Sequence, residues 1–504
     1  MGDVFPLLMS GFGIALQPEN LLLAFIGAFL GTAIGVLPGI GPAGALAMLL
    51  PIVLNLNPVG AIIMLAGLYS GAMYGGSTTS ILLNVPGESS SVVTCIDGHQ
   101  MALQGRAGPA LCIAAIGSYI AGTIGVVGLM LFAPLIADWA LSFGPPEYFA
   151  LMLFGLSAVA SLAGNSLVKG LTAMVFGLML ATVGTDVTGV ARFTFGMPEM
   201  LSGIEFLAVT IGLFAISEVL INAREMRDGV VKTIVKHRLF ISFREIVESM
   251  GAIIRGTVIG FIVGVMPGAG AGIASFMAYS VETQVGGSKR RFGEGEIRGV
   301  AGPESANNAA SAGAMVPMLT LGIPGSGTTA IMLVALTALN VHPGPLMFTQ
   351  RPDVVWGLIA ALYIGNVMLL VLNLPLVGLF VRLLYIPMRL MLPVIMVICV
   401  IGVYNANQTV LDLGLLCAFG AIGYYMRQGG FPLPPVILGL VLGDRMEEAL
   451  RQSMIMTQGN LLAIVERPIV LAFLILTVAS LVWPLILKRL RFRGKAVVIE
   501  QEQA

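Results

Sequence analysis

The chain has 504 residues, 57% of them hydrophobic and only 10% charged, where soluble domains carry about 25% charge. Net charge is zero, so a nucleic-acid partner has no electrostatic basis. The 64 Gly and 27 Pro lie among apolar runs. This excludes collagen and low-complexity sequence and leaves an all-α polytopic membrane protein, whose helices tolerate both residues.

In chain order, residues 4–16 read as an interfacial helix. No Lys or Arg precedes Arg106, so no basic signal-peptide region opens the chain and the first segments are expected to be structure. Residues 21–54 form an apolar stretch broken at Leu37-Pro38-Gly39, with only Glu19, Asn55 and Asn57 as polar flanks. A second broken helix is expected at about 59–92. Spans at roughly 110–136, 147–163, 167–184 and 204–222 then lead to a basic block from Arg224 to Arg255. Lys and Arg gather on the cytoplasmic side, so residues 224–250 read as a cytoplasmic linker.

Residues 251–283 are broken at Met266-Pro267-Gly268 and followed by Lys289, Arg290, Arg291 and Arg298. Both ends are basic, and each arm is short for a crossing of about 20 residues. A re-entrant hairpin that enters and leaves on the cytoplasmic side satisfies both flanks. By the same rule the 21–54 hairpin opens to the outside. A broken span at roughly 309–340 leads outward. Spans near 355–381, 390–404 and 408–425 reach Arg427 inside. Spans near 432–450 and 465–487 end at a basic tail, residues 489–504, inside. The 432–450 span is the weakest, because Asp444, Arg445, Glu447 and Glu448 fall within it. The total is roughly 10–12 membrane segments.

The two broken stretches repeat. Gly35, Val36, Pro38, Gly39 and Gly41 match Gly264, Val265, Pro267, Gly268 and Gly270. Gly71-Ala72-Met73 then matches Gly313-Ala314-Met315, Val85-Pro86-Gly87 matches Ile323-Pro324-Gly325, and Gly108-Pro109 matches Gly344-Pro345. Pro-Gly kinks placed only for packing explain one break but not four ordered matches with opposed charge flanks. The pattern predicts two inverted-topology repeats, 1–223 and 251–488, as in many secondary transporters.

Broken helices leave N–H and C=O groups for a ligand, and half-helix N-termini favour anions. The candidate substrate residues are therefore Pro38, Gly39 and Gly41, then Ser77, Thr78, Thr79 and Asn84. In the second half they are Pro267, Gly268 and Gly270, then Ser326, Thr328 and Thr329. Glu88, Ser89, Glu304, Asn307 and Asn308 are candidates for ion binding or coupling, since ionisable groups near membrane depth are functional by default. The plain alternatives are a wetted loop for either Glu and hydroxyls that bond back to their own helices. Cys95, Cys112, Cys399 and Cys417 lack metal or redox spacing, and His99, His237 and His342 are far apart, so no metal beyond a sodium ion is expected.

These motifs carry a resemblance. The chain resembles the large membrane subunit of the tripartite tricarboxylate transporter family (the TctA type) at both V-[LM]-P-G-x-G tips and at Tyr69 to Ser77. The likeness continues at Asn84 to Glu88, Asp97-Gly98, Gly105 to Gly108, Gly302 to Asn308 and Leu321 to Ser326. It implies a secondary transporter of di- and tricarboxylates in the bacterial inner membrane, driven by an ion gradient. It also implies a small four-helix membrane subunit and a periplasmic solute-binding protein as partners. No phosphate loop is present; Gly494-Lys495 is followed by Ala496. An intramembrane hydrolase built on Ser77 lacks a His base in any span. A channel is the remaining alternative and is distinguished by flux without gradient coupling.

Overall fold

In the computed structural model, which describes residues 4–37, 41–162, 166–186, 189–225, 240–287, 291–383 and 388–482, helices follow one another with short breaks. α1 (Val4–Ala15), α2 (Pro18–Gly35), α3 (Gly41–Val53), α4 (Pro58–Leu83), α5 (Val92–Leu103) and α6 (Ala107–Ala140) come first. α7 (Pro145–Leu162) and α8 (Leu167–Ala181) precede a two-stranded antiparallel ribbon, β1 (Gly184–Thr185) and β2 (Ala191–Arg192). α9 (Phe206–Ile211) and α10 (Ser217–Glu225) are joined by a π-helical turn, Gly212–Ile216. Next come α11 (Phe243–Val265), α12 (Gly270–Gly286), α13 (Arg298–Leu321), α14 (Gly327–Ala338) and the short α15 (Met347–Gln350). α16 (Pro352–Asn373), α17 (Val377–Leu383), α18 (Met388–Asn407), α19 (Val410–Gln428), α20 (Pro434–Met456) and α21 (Leu461–Val465) follow.

Among the described residues, seven helices are long and apolar enough to cross a bilayer, and shorter apolar helices such as α3, α8 and α14 accompany them. The protein is a helical, multi-pass membrane protein. The expected basic linker lies largely outside the described residues, as do Lys289, Arg290, Pro38, Gly39 and the tail.

Packing groups the chain into two units, residues 1–141 with 207–425 and residues 142–206 with 426–504. In the first unit, α4 and α13 are buried along nearly their whole length, as expected of helices enclosed by others. Each is met by a helix with glycine at every fourth position. On α2 these are Gly27, Gly31 and Gly35; a Cβ there would lie 2.2, 2.3 and 2.4 Å from the carbonyl oxygens of Met64, Leu68 and Ala72 on α4. On α11, Gly256, Gly260 and Gly264 meet Gly302, Ala306 and Ala310 of α13 at 2.2, 2.2 and 2.4 Å. Four residues is about one helical turn, so each set lines one face, and small residues let backbones touch where lipid supplies no hydrophobic drive. α1 approaches α16 in the same way, through Gly11 against Trp356 O.

Local chemistry sets the helix ends. Asn57 caps α4 by accepting from Gly60 N at 2.7 Å, with Pro58 at the first helical position. Ser242 and Glu245 form a capping box on α11. The connection before α13 is pinned to α5 through one buried carboxylate. Asp97 Oδ1 accepts the N–H groups of Gly293, Gly295 and Glu296 at 2.8, 2.9 and 2.9 Å, and Oδ2 accepts the Tyr279 hydroxyl at 2.9 Å. Arg255 pairs with Glu282 through two bonds of 2.8 Å.

In the second unit, α7, α8 and α20 pack together, with Gly177 of α8 against Val436 O. The charges that make 432–450 a weak span on sequence have partners. Arg192 on β2 makes two 3.1 Å bonds to Glu447, and Arg451 bonds Glu447 at 2.7 Å and Asp186 at 3.1 Å. α20 is therefore a continuous helix through this stretch.

Candidate functional site

Two helix breaks share one local geometry. α4 ends in Asn84, left-handed at φ 57°, and the chain passes through Val85-Pro86-Gly87 to Glu88. Glu88 (φ −149°, ψ 170°) heads a 3-10 turn, Ser89–Ser91, that runs into α5. α13 ends in Gly322, left-handed at φ 69°, and passes through Ile323-Pro324-Gly325 to Ser326 (φ −153°, ψ 168°), which caps α14. Asn84 and Gly322 occupy the position where left-handed backbone stops a helix. Glu88 pairs with Ser91, and Ser326 with Thr329, in equivalent capping boxes. The glycines fix the register. Gly75 faces Thr32 O and Val36 N as Gly313 faces Phe261 O and Val265 N. Gly313 thus corresponds to Gly75, one helical turn from the Gly71 match suggested by sequence.

The hydroxyl-rich run also lies elsewhere than expected. Ser77, Thr78, Thr79 and Ser80 are inside α4, and the break begins after Leu83. The hydroxyls bond back to the helix they sit in: Thr79 Oγ1 donates to Gly76 O at 3.1 Å and Ser80 Oγ to the same oxygen at 2.9 Å. In the second half, Thr328 and Thr329 form the first turn of α14.

The two breaks exchange contacts. Asn307 of α13 donates from Nδ2 to Glu88 Oε1 at 2.9 Å, and Tyr69 of α4 meets Ser326 Oγ at 3.5 Å. At the shared spacing Asn307 corresponds to Tyr69 and Glu88 to Ser326. The helix partners cross over as well: α12 packs on Ser89–Ser91, and α3 packs on α14. Gly268 (φ 81°) donates its N–H to Gly325 O at 3.1 Å, which joins the 266–269 tip to its own break. Gly41 and Gly270 open α3 and α12 at φ 63° and 65°, conformations that suit glycine.

Between the breaks sits a buried polar layer. Glu304, 0% exposed, accepts from Ser77 Oγ at Oε2 (2.5 Å) and from Thr94 Oγ1 at Oε1. Glu88 Oε1 also accepts from the Ser90 hydroxyl. Asn308 donates to Ser118 Oγ at 2.7 Å and to Glu304 O at 3.1 Å. Next to it a cavity of about 30 Å³, lined by Ser70, Asn308, Ser311 and Asn366 among apolar side chains, has room for a water or two. Asn366 accepts from the Tyr74 hydroxyl at 2.8 Å. Of the expected residues, Ser77, Glu88, Glu304, Asn307 and Asn308 meet in this layer, while Pro38 and Gly39 lie outside the described residues. Tyr69, Thr94 and Ser118 belong to the layer but were not picked out for it, and only their partners across the fold reveal them; Ser90 joins through Glu88, two residues before it.

The arrangement offers carboxylates, hydroxyls, amides and helix N-termini with no basic side chain. Such a site can bind ions reversibly. The model of the Tripartite tricarboxylate transporter TctA family matches residues 21–438. A relative in Agrobacterium vitis, described as an uncharacterized 52.8 kDa protein in the TAR-I ttuC' 3' region, is 44% identical over 503 residues, 100% of both chains. A second, described as an uncharacterized protein in the TAR-II ttuC' 3' region of the same organism, is 40% identical over 243 residues, 48% of this chain and 100% of its own. No solved structure matches the chain. With its helical bundle, its paired breaks and a match over most of its length, the chain belongs to the tripartite tricarboxylate transporter TctA family and is a membrane component of a transporter rather than an enzyme.

Proposed function

We propose that the protein is the large transmembrane subunit of a binding-protein-dependent secondary transporter. It imports di- and tricarboxylates across the bacterial inner membrane, driven by a sodium or proton gradient. A periplasmic solute-binding protein delivers the substrate, and a small four-helix membrane subunit completes the complex. Two inverted repeats, 1–223 and 251–488, each contribute one re-entrant tip and one broken helix, and alternating access occurs by an elevator or rocking motion. The C-terminus is cytoplasmic.

The observation that carries this reading is the pair of matched breaks joined by Asn307–Glu88 and Tyr69–Ser326. Breaks of this kind at the meeting of two repeats are where secondary transporters hold substrate and coupling ion. The N-terminus of α14 and the turn at Ser89–Ser91 present backbone N–H groups that suit a carboxylate. Glu88, Ser89, Asn307 and Asn308 supply the ion side, and Glu304 stands beside them, bonded to Ser77 and Thr94. Without Lys or Arg, binding stays weak enough for release.

The test is uptake of labelled citrate and smaller dicarboxylates into vesicles, with and without sodium and the cognate binding protein. Accumulation that follows the ion gradient and needs the binding protein is expected. Accumulation indifferent to every ion gradient would overturn the reading. Gly268→Leu should abolish uptake while the protein still inserts, and unchanged uptake would move the site away from the tip.

A further inference from the structure

Residues 58–105 and 299–350, which carry both breaks, contain no Lys or Arg, so neither buried carboxylate has a basic partner there. The two carboxylates differ. Glu304 has both oxygens engaged, by Ser77 of α4 and Thr94 of α5, so it ties three helices together. Glu88 takes both of its donors, Ser90 and Asn307, on Oε1. The Asn307 amide that donates to Glu88 through Nδ2 has a second polar atom, Oδ1. That oxygen is fully buried and has no hydrogen-bond partner. A buried acceptor left unpaired is costly, so a group that fills it gains.

The matching break is a built-in comparison. There Ser326 stands in the place of Glu88 and Tyr69 in the place of Asn307. Ser326 and Thr329 satisfy each other, at 2.9 Å from Ser326 N to Thr329 Oγ1 and 3.2 Å between the hydroxyls. One break is closed on itself; the other presents a buried carboxyl group and an open amide oxygen.

We propose that Glu88 and Asn307 form the seat of one alkali-metal cation, with sodium as its occupant, and that Glu304 is a positioning residue that holds α4, α5 and α13 around it. The proposal rests on the transport reading of this site and assigns its ion side to one break alone. A hard cation takes oxygen ligands; Glu88 supplies a carboxylate oxygen, Asn307 Oδ1 an amide oxygen, and the Ser90 hydroxyl bonds the same carboxylate. Because Ser326 has no carboxyl group, the second break offers no equivalent seat.

Purified protein in lipid nanodiscs, kept in potassium buffer, is titrated with labelled sodium and its melting temperature is followed in parallel. Saturable binding of one sodium per chain and a rise in melting temperature are expected. Glu88→Gln should lose both responses. Asn307→Leu should weaken sodium binding about tenfold or more, as loss of an ion-site oxygen does. Glu304→Gln should keep sodium binding but melt lower, and Ser326→Ala should keep it as well. Absence of saturable binding to the wild type, unchanged binding to Glu88→Gln, or a second sodium lost in Glu304→Gln overturns the proposal. A melting temperature that responds to pH and not to sodium also overturns it, in favour of a proton. Counterflow of labelled citrate in proteoliposomes with the binding protein tests the transport reading separately. Exchange in potassium alone without sodium binding sinks the cation seat and leaves transport standing. Sodium bound at Glu88 with no exchange under any condition does the reverse.

Discussion

At the scale of single residues, the site depends on side chains that do two jobs. Ser326 caps α14 and also meets Tyr69. Ser326→Ala should destabilise the protein by about 1 kcal/mol, the usual cost of a lost N-cap, read as a lower melting temperature. Gly76 makes room for Glu88, since a Cβ there would lie 2.9 Å from Glu88 Cγ. Gly76→Ala should displace the carboxylate from Asn307 and slow uptake while the protein still elutes as a folded species. Wild-type uptake by that variant would show that the Glu88 position is not critical. Glu88, Glu304, Asn307 and Asn308 were legible in the sequence because polar residues stand out in an apolar chain. Thr94 and Ser90 were not, because a hydroxyl among hydroxyls gains meaning only from the carboxylate it meets, and Thr94 meets one on a distant helix.

At the scale of elements, glycine faces set the spacing of the central helices. Gly31→Leu and Gly260→Leu should push α2 from α4 and α11 from α13, because the added side chain meets backbone rather than a movable side chain. Overpacking of this kind costs roughly 1–3 kcal/mol or more, and a lower melting temperature checks it. Gly13→Leu, on α1 where no atom lies within 4 Å, should leave the melting temperature unchanged. Equal behaviour of all three variants would refute the packing argument. The Pro-Gly pairs revealed where helices stop near Val36 and Val265, because both residues disfavour helix interiors. They did not reveal that α4 runs on through its serines and threonines. The hydroxyls there bond back to Gly76 O, and composition cannot separate a hydroxyl that lies along a helix from one that ends it. The charges of α20 keep it out of the seven helices apolar enough to cross a bilayer, as the sequence suggested, and Arg192 and Asp186 pair with Glu447 and Arg451.

At the scale of the whole molecule, the crossed contacts mean that neither break is complete without residues from the other half. A Cβ on Gly272 would lie 3.7 Å from Ser89 Oγ. In a chain stripped of its four cysteines, the pair Gly272→Cys and Ser89→Cys should form a disulfide that halts uptake until a reductant is added. Full uptake by the oxidised pair would show that α12 and the Ser89–Ser91 turn stay together throughout the cycle. The recurrence of motifs was readable from the chain, but the exchange was not, since nothing in a repeat says which half its ends touch. One feature outside the site bears on how this exchange is poised. Four hydrogen bonds converge on Asp97, and the matching position in the second half is Ala335, which can make none with its side chain. An equilibrium between two conformations that differ in whether this cluster is intact is weighted toward the one that keeps it. Asp97→Asn should accelerate hydrogen exchange at the Gly293 and Gly295 amides and raise the share of molecules in the other state. In the transport cycle proposed above, a protein without ligand would rest in the state that keeps this cluster, and ligands would supply the bias away from it.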